Sequence, residues 1–388
     1  AEFGIEVVAV TDAGFLVEEQ IADIEDMIQI APDAVISIPV DDTATAPAYK
    51  QIAEAGIKLV FMDNVPRGLE YPTGYQSMIS ADSQGNGAIA AEVLAEYVPD
   101  GGKIGIIEFG IDFFVTNERV IGVENWLGAN RSDINVLKAD FLHPDDALAT
   151  AENFLTKNPD LDGLFVVWDA PAMDAVAAAR TLGMEIPITT IDLGLEVALN
   201  MAQGGLIKGL GAQRPYDQGV AEAYAVANSL LGKETPAWVG VLSLPVTPDN
   251  VMEAYREVFK QDPPQELRDA CAANAGCTDY IAAPVLGIDA VVPAAGLGPD
   301  GVIGQGPNGE SAASLADLAL TDDEIQQAKD GGFEVGIVMH VQNLDWSKLQ
   351  INGITATLAE FGIEVVAVTD AGFLVDEQIA DIEDMIQI

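Results

Sequence analysis

Short apolar runs rich in Val and Ile recur along the chain, at 34–40, 58–62, 103–107, 163–167, 186–191 and 207–210. The stretches between them carry apolar residues at helical spacing. Continuous short apolar runs mark strands buried on both faces, so the alternation predicts parallel sheets covered by helices on both sides. The punctuation agrees. Pro144, Pro171 and Pro215 stand where a first helical turn tolerates proline, and PDGG at 99–102 is a turn ahead of a strand. Near the end, 334–340 predicts a strand and 346–358 a helix. From 262 to 330 the pattern stops. Pro, Gly, Ala and Ser dominate there (GLGPDGVIGQGPNGESAAS), which predicts a linker, although 280–292 is apolar enough to pack.

The chain also repeats itself. Residues 1–30, AEFGIEVVAVTDAGFLVEEQIADIEDMIQI, return as 359–388 with one change, Glu18 becoming Asp376. Each copy predicts one strand, 5–10 in the first, followed by a helix with Ile21, Ile24 and Ile28 on one face. A single domain has one place for that pair. The spare copy therefore hangs loose or completes a neighbouring unit as a swapped or tandem element. The implied order is circular: the strand and helix ahead of the second copy supply what the fold lacks ahead of residue 31. The single Glu/Asp difference favours natural duplication.

Composition narrows the class. Without one copy of the repeat the 388 residues reduce to 358, enough for two domains with ample core. Seventeen Lys and Arg face 62 Asp and Glu, a formal charge of −45, so a nucleic-acid partner is not expected: phosphate binding needs a basic face. Mean hydropathy is positive at +0.23, which makes the acid a solvated surface over a normal core rather than a sign of disorder. No apolar run reaches the ~18–20 residues that span a bilayer, and no signal peptide is visible in the sequence. Cys271 and Cys277 are close enough for a short disulfide loop, which suits an oxidising compartment; free thiols are the next reading, and metal binding is weaker because no His is near.

Read from about Ser314 in rotated order, the chain resembles the type I periplasmic sugar-binding proteins, the ribose and galactose group of ABC-importer receptors. Eight segments carry the resemblance in family order. VGIVMHVQNLDWSK (335–348) is similar to the first strand and ligand loop, PDAVISIPVDDTA (32–44) to the third strand, LVFMDN (59–64) to the fourth and ISADSQGNG (79–87) to the first hinge crossing. FFVTNERVIGV (113–123), FVVWDAPAMDAV (165–176), ITTIDLG (188–194) and GLGAQRPYDQG (209–219) follow. The resemblance implies an α/β fold of two doubly wound parallel-sheet lobes joined by three hinge crossovers, here in circularly shifted order. The first lobe would take 1–81, 214–244 and 334–388, the second 82–213 and 245–262, with 263–333 as linker.

Such sheets bind ligands at the C-terminal ends of their strands. The resemblance places Asn343, Asp345 and Trp346 after the first strand, Asp63 and Asn64 after LVFM, Trp168 after LFVV, Asp192 after ITTI, Gln213 after LGA, Phe141 after VLKAD and Arg119 near a helix start. Their chemistry suits a neutral polyhydroxylated ligand. Asp63 and Asp192 accept from hydroxyls, Arg119 donates, Asn343, Asn64 and Gln213 do both, and Trp346, Trp168 and Phe141 cover the C–H face. Plainer readings stand beside these. Asp169 reads as a helix cap, Trp346 and Trp168 as core, Arg119 as the partner of a local carboxylate, His340 as core or as a residue behind the site, and His143 as loop. Asn64 stands where ribose receptors often carry Arg, Trp168 where they carry Asn and Ile38 where they carry a polar residue, a pattern that points to a bulkier sugar, a polyol or a deoxy sugar.

The expected function is an extracytoplasmic receptor, periplasmic or extracellular and compatible with a membrane tether, that captures a small sugar or polyol by lobe closure. It would hand the ligand to the membrane subunits of an ABC importer. The alternative is a structural or surface-assembly protein built from tandem or segment-swapped units, self-associating through the duplicated segment. No enzyme is expected, because a Gly-rich phosphate loop, GxSxG and HExxH are all missing. No cofactor or metal is implied, and a regulator's basic helix-turn-helix is lacking.

Overall fold

The computed structural model describes residues 16–277 and 297–369. It divides into two compact units, and the chain passes between them at 80/81, 214/215, 240/241 and 304/305. Unit 1 opens with α1 (Val17–Ile30), β1 (Ala34–Ser37), α2 (Ala46–Glu54), β2 (Lys58–Met62) and β3 (Ser77–Ala81). Unit 2 continues with α3 (Ser83–Ala95), β4 (Lys103–Phe109), α4 (Phe114–Asn130), β5 (Asn135–Phe141), α5 (Ala147–Lys157) and β6 (Gly163–Val166). It goes on through α6 (Asp169–Leu182), β7 (Ile188–Ile191), α7 (Leu195–Ala202) and β8 (Ile207–Ala212). The chain returns to unit 1 for α8 (Pro215–Leu230) and β9 (Trp238–Val241), then adds β10 (Leu244–Val246), α9 (Val251–Phe259) and α10 (Gln265–Ala272) to unit 2. Unit 1 closes with α11 (Asp322–Gly331), β11 (Glu334–Val338), α12 (Asp345–Glu360) and β12 (Glu364–Thr369).

Each unit is built on one sheet, ordered β12-β11-β1-β2-β3-β9 in unit 1 and β10-β8-β7-β6-β4-β5 in unit 2. The pairings β12-β11-β1-β2-β3 and β5-β4-β6-β7-β8 are parallel, and β10 runs antiparallel to β8. Counted from β11 in one sheet and from β4 in the other, both five-strand runs have the order 2-1-3-4-5. That order reverses direction beside its first strand, and such a switch point is where an open sheet leaves a crevice at its strand ends. The central strands β1, β6 and β7 are buried along their whole length, as their unbroken apolar runs predict. Edge strand β5 alternates exposed and half-buried positions, and for that reason its NVLKADF carries polar residues.

Both units use the same helix crossing. At α3 against α4, a Cβ on Gly87 would lie 2.1 Å from the Arg119 carbonyl oxygen; at α8 against α12, a Cβ on Gly353 would lie 2.2 Å from that of Tyr216. No other residue allows backbones so close.

The duplicated ends both contribute to unit 1. The helix is taken from the first copy, as α1, and the edge strand from the second, as β12. Gln20 fixes α1 in its place: its amide nitrogen donates to the Ile38 carbonyl and its amide oxygen accepts from the Val40 amide, both at 2.6 Å. Ile24 and Met27 are fully buried beneath it. Strand 5–10, the helix of the second copy and the apolar stretch 280–292 lie outside the described residues.

The run expected to be a linker carries structure wherever it is described. Cys271, in α10, is joined to Cys277 by a disulfide. Residues 297–313 are tied by hydrogen bonds on both sides of the 304/305 crossing. α11 is opened by a capping box between Thr321 and Glu324. The Gly and Pro content that suggests slack here serves turns, since Gly298, Gly301 and Gly309 all have positive φ.

Candidate functional site

The two sheets place matching chemistry at matching positions. Asp63 follows β2 and Asp192 follows β7, the fourth strand of each run, and both hold a left-handed backbone, with φ of 57° and 70°. Left-handed backbone is strained for a residue with a Cβ, though Asp tolerates it better than most. Such strain gathers at functional sites.

In unit 2 the structure brings five of the expected residues together. Arg119, one turn into α4 and 4% exposed, donates through Nη1 to the Val167 carbonyl at 3.0 Å and to Asp192 Oδ2 at 3.3 Å. Gln213, just past β8, donates through Nε2 to Asp192 Oδ1 at 2.8 Å. Asp192 thus holds two donors from separate elements. Burial pushes its carboxyl up, against the pull of Arg119 and Gln213. Beside this trio Phe141 and Trp168 meet at 5.1 Å between ring centroids, and each also meets Phe109, at 5.5 and 5.4 Å. Phe113 extends the ring cluster at 6.3 Å from Phe109.

Phe109 and Phe113 do not figure among the expected site residues. The signal that could have found them is the one used for the others, position at the C-terminal end of a strand, here β4. Arg119 realises the plainer reading, pairing with a carboxylate, and that carboxylate is itself an expected site residue. Asp169 is the first residue of α6 and accepts from the Ala170 amide at 2.8 Å.

In unit 1, Asp63 accepts from Gln218 Nε2 at 3.3 Å, and its own amide donates to the Ile79 carbonyl at 2.8 Å. Asn64 is fully buried, yet neither of its side-chain amide atoms has a hydrogen-bond partner among the described residues. A buried amide without partners costs about 1–3 kcal/mol. After β11, His340 and Trp346 meet edge to face at 5.7 Å, and the indole N–H of Trp346 is also without a partner. Burial lowers the His340 pKa to about 3, so the ring is neutral. Asp345 begins α12, and Asn343 lies exposed in the loop before it, its carbonyl accepting from Lys348 at 2.7 Å.

Behind Asp63, Glu222 on α8 is fully buried and neither carboxyl oxygen is hydrogen-bonded among the described residues; desolvation, then the charge of Asp63, raises its pKa well above the usual range. Its place one turn after Gln218 is the only sequence signal for it. Among the described residues no group of three or more His, Cys, Asp or Glu could hold a metal ion.

Comparison with known proteins agrees with this architecture. A family described as periplasmic binding protein domain matches residues 1–234. The chain is 27% identical over 227 residues to the ribose import binding protein of Bacillus subtilis, covering 58% of this chain and 72% of that protein. It is 27% identical over 250 residues to a xylitol-binding protein of Mycolicibacterium smegmatis, covering 63% and 70%. Among solved structures, an ABC transporter solute-binding protein from Agrobacterium vitis with bound D-fucose aligns with a TM-score of 0.58 at 21% identity, over 63% of this chain and 85% of that one. One from Bacillus halodurans with bound myo-inositol aligns with a TM-score of 0.56 at 22% identity, over 63% and 84%.

Proposed function

Because the chain belongs to the periplasmic binding protein family, we propose that it is the solute-binding receptor of an ABC importer, capturing a small sugar or polyol in the periplasm by lobe closure. The observation that carries this reading is the trio in unit 2. Asp192 is fixed by Arg119 and Gln213 at a strand end, beside a cluster of aromatic rings. A part-buried carboxylate with two fixed donors presents its remaining lone pairs in set directions, and so selects a hydroxyl pattern rather than a charge. The rings would lie on the C–H face of the same ligand. In unit 1, Asp63, Asn64, Trp346, Asn343 and Asp345 carry a second set of the same chemistry.

The relatives bind ribose and xylitol, and the structural neighbours hold D-fucose and myo-inositol. These ligands share vicinal hydroxyls and no charge, which is the class assigned to this chain. Its partners are then the membrane subunits of the importer, and it acts by binding without a chemical step. The circular order is supported by β11 and β12, which complete the sheet alongside β1 from the far end of the sequence.

Calorimetry against D-ribose, D-allose, D-fucose, xylitol and myo-inositol is expected to show binding of at least one, lost in Asp192→Ala and Asp63→Ala. No heat and no thermal stabilisation with any neutral sugar or polyol would refute the receptor reading.

One observation favours self-association as well. The chain carries the strand–helix sequence twice, and the described part of unit 1 takes α1 from the first copy and β12 from the second. Molar mass measured across concentration tests this, and a strict monomer at the highest concentration removes it.

A further inference from the structure

Three crossovers are implied by the resemblance, but the chain crosses between its units four times. The fourth connection, at 304/305, belongs to the Gly-rich run 297–313, which is 17 residues long. Left free, a Gly-rich coil of that length has end-to-end excursions of roughly 20–25 Å and restrains nothing. It is not free.

On the unit 2 side, Asp82 accepts from the Ile303 amide through Oδ2 at 2.8 Å and from the Gly304 amide through Oδ1 at 2.9 Å. The same carboxylate caps α3, accepting from the Gly85 amide at 3.0 Å. Further along α3, Glu92 accepts from the Gly298 amide at 2.8 Å. On the unit 1 side, Ala313 forms a one-residue parallel bridge with Val239, donating to the Trp238 carbonyl and accepting from the Gly240 amide, both at 3.1 Å. Between these anchors the chain folds on itself, the Gly306 amide donating to the Glu310 carbonyl at 2.9 Å.

Asp82 lies two residues past the first crossing and is 1% exposed. Its amide donates to the Val241 carbonyl at 2.9 Å and its carbonyl accepts from Ser243 Oγ at 2.9 Å, both just past the third crossing. One residue therefore ties the first, third and fourth connections together. Only a carboxylate offers acceptors to three amides at once from so short a side chain.

We propose that Asp82 is a positioning residue for ligand capture: by pinning residues 303–304 beside the first crossing it shortens the free length of the fourth connection and narrows the range of arrangements the two units sample before a ligand arrives. A narrower starting ensemble leaves less to order on binding, so the competent fraction and the apparent affinity rise together. This rests on the capture reading above, but the decisive measurement needs no ligand.

Two variants separate the pin from the cap. Asp82→Asn keeps an oxygen for the α3 cap and loses the second acceptor and the charge. Ile303→Pro leaves Asp82 and its cap intact and removes one amide it holds. Hydrogen exchange on the wild-type chain is expected to show protected amides at 303 and 304, and Asp82→Asn to lose that protection at both. In Ile303→Pro the remaining 304 amide loses protection. Spin labels on exposed positions 54 and 152, one in each unit, then report the ligand-free distance distribution by pulsed electron resonance. Both variants are expected to broaden it measurably, since the free stretch lengthens from 304–313 to 298–313, a gain of about 4–5 Å in end-to-end excursion. Unprotected amides in the wild type would overturn the proposal. So would an unchanged width in Ile303→Pro despite lost protection at 304, whether or not Asp82→Asn folds. Failure of every sugar to bind would sink the receptor reading alone, because the width is measured without one.

Discussion

Replacing Asp192 by Ala takes one partner from a buried pair. Arg119 would keep its bond to the Val167 carbonyl and lose its carboxylate, 3.3 Å away, while its side chain is only 5% exposed. Breaking a buried pair from one side costs about 3–5 kcal/mol, because the surviving charge stays desolvated. At ~2–4 °C of melting temperature per kcal/mol for a unit of this size, the expected loss is about 6–20 °C. Arg119→Met is expected to cost less, since Asp192 is already pushed towards protonation by burial and keeps Gln213 as donor. The double variant Arg119→Met with Asp192→Ala removes both charges and is expected to fall within about 2 kcal/mol of wild type. The cycle should therefore give a coupling of at least ~2 kcal/mol in urea unfolding followed by fluorescence, with Trp168 in the same ring cluster as a local probe. Single effects that sum to the double within about 0.5 kcal/mol would refute the claim that the pair acts as a unit, and with it the fixed geometry assigned to Asp192.

His340 is neutral when folded, with its pKa lowered to about 3, whereas the unfolded chain protonates as pH falls through the ordinary value of 6.5. Stability from this residue is therefore present above about pH 6.5 and lost at ~1.4 kcal/mol per pH unit down to about pH 3; His340→Phe should flatten that slope in urea midpoints measured against pH. Glu222 has the opposite sign. Its folded pKa is raised, so its contribution is full below the ordinary 4.5 and lost as pH rises, and Glu222→Gln should gain on wild type from pH 5 to 8; a falling or constant difference would be contrary. Truncation tests the duplication: residues 1–358 and residues 31–388 each retain one strand–helix copy, so each is expected to unfold cooperatively with unit 1 intact, and loss of the transition in either would show the copies are not interchangeable.

The fold was legible where burial is a local property. Strands β1, β2, β4, β6, β7, β8 and β11 announce themselves as apolar runs, because a strand covered on both faces needs nothing but apolar side chains. The missed strands are those whose burial depends on neighbours: β9 and β10 are short and β3 carries two serines, while β5, a half-exposed edge, entered only through the resemblance. The expected linker misled for a related reason. Gly and Pro report backbone freedom, whereas the bonds from Asp82 and Glu92 that use it come from residues about 200 positions earlier.

The same division runs through the site. The sequence by itself determined the alternation of strands and helices, which follows from local burial, and the resemblance added the placement of Asp63, Asp192 and the ring-bearing residues at strand ends. Only the tertiary structure decided that Arg119 pairs with Asp192 across 73 residues, that Phe109 joins Phe141 and Trp168, and that α1 comes from one copy of the repeat while β12 comes from the other. Periodicity records whether a residue is buried. It does not record against what, and two identical segments carry the same periodicity, so the choice between them falls to the contacts each makes once the sheet is assembled.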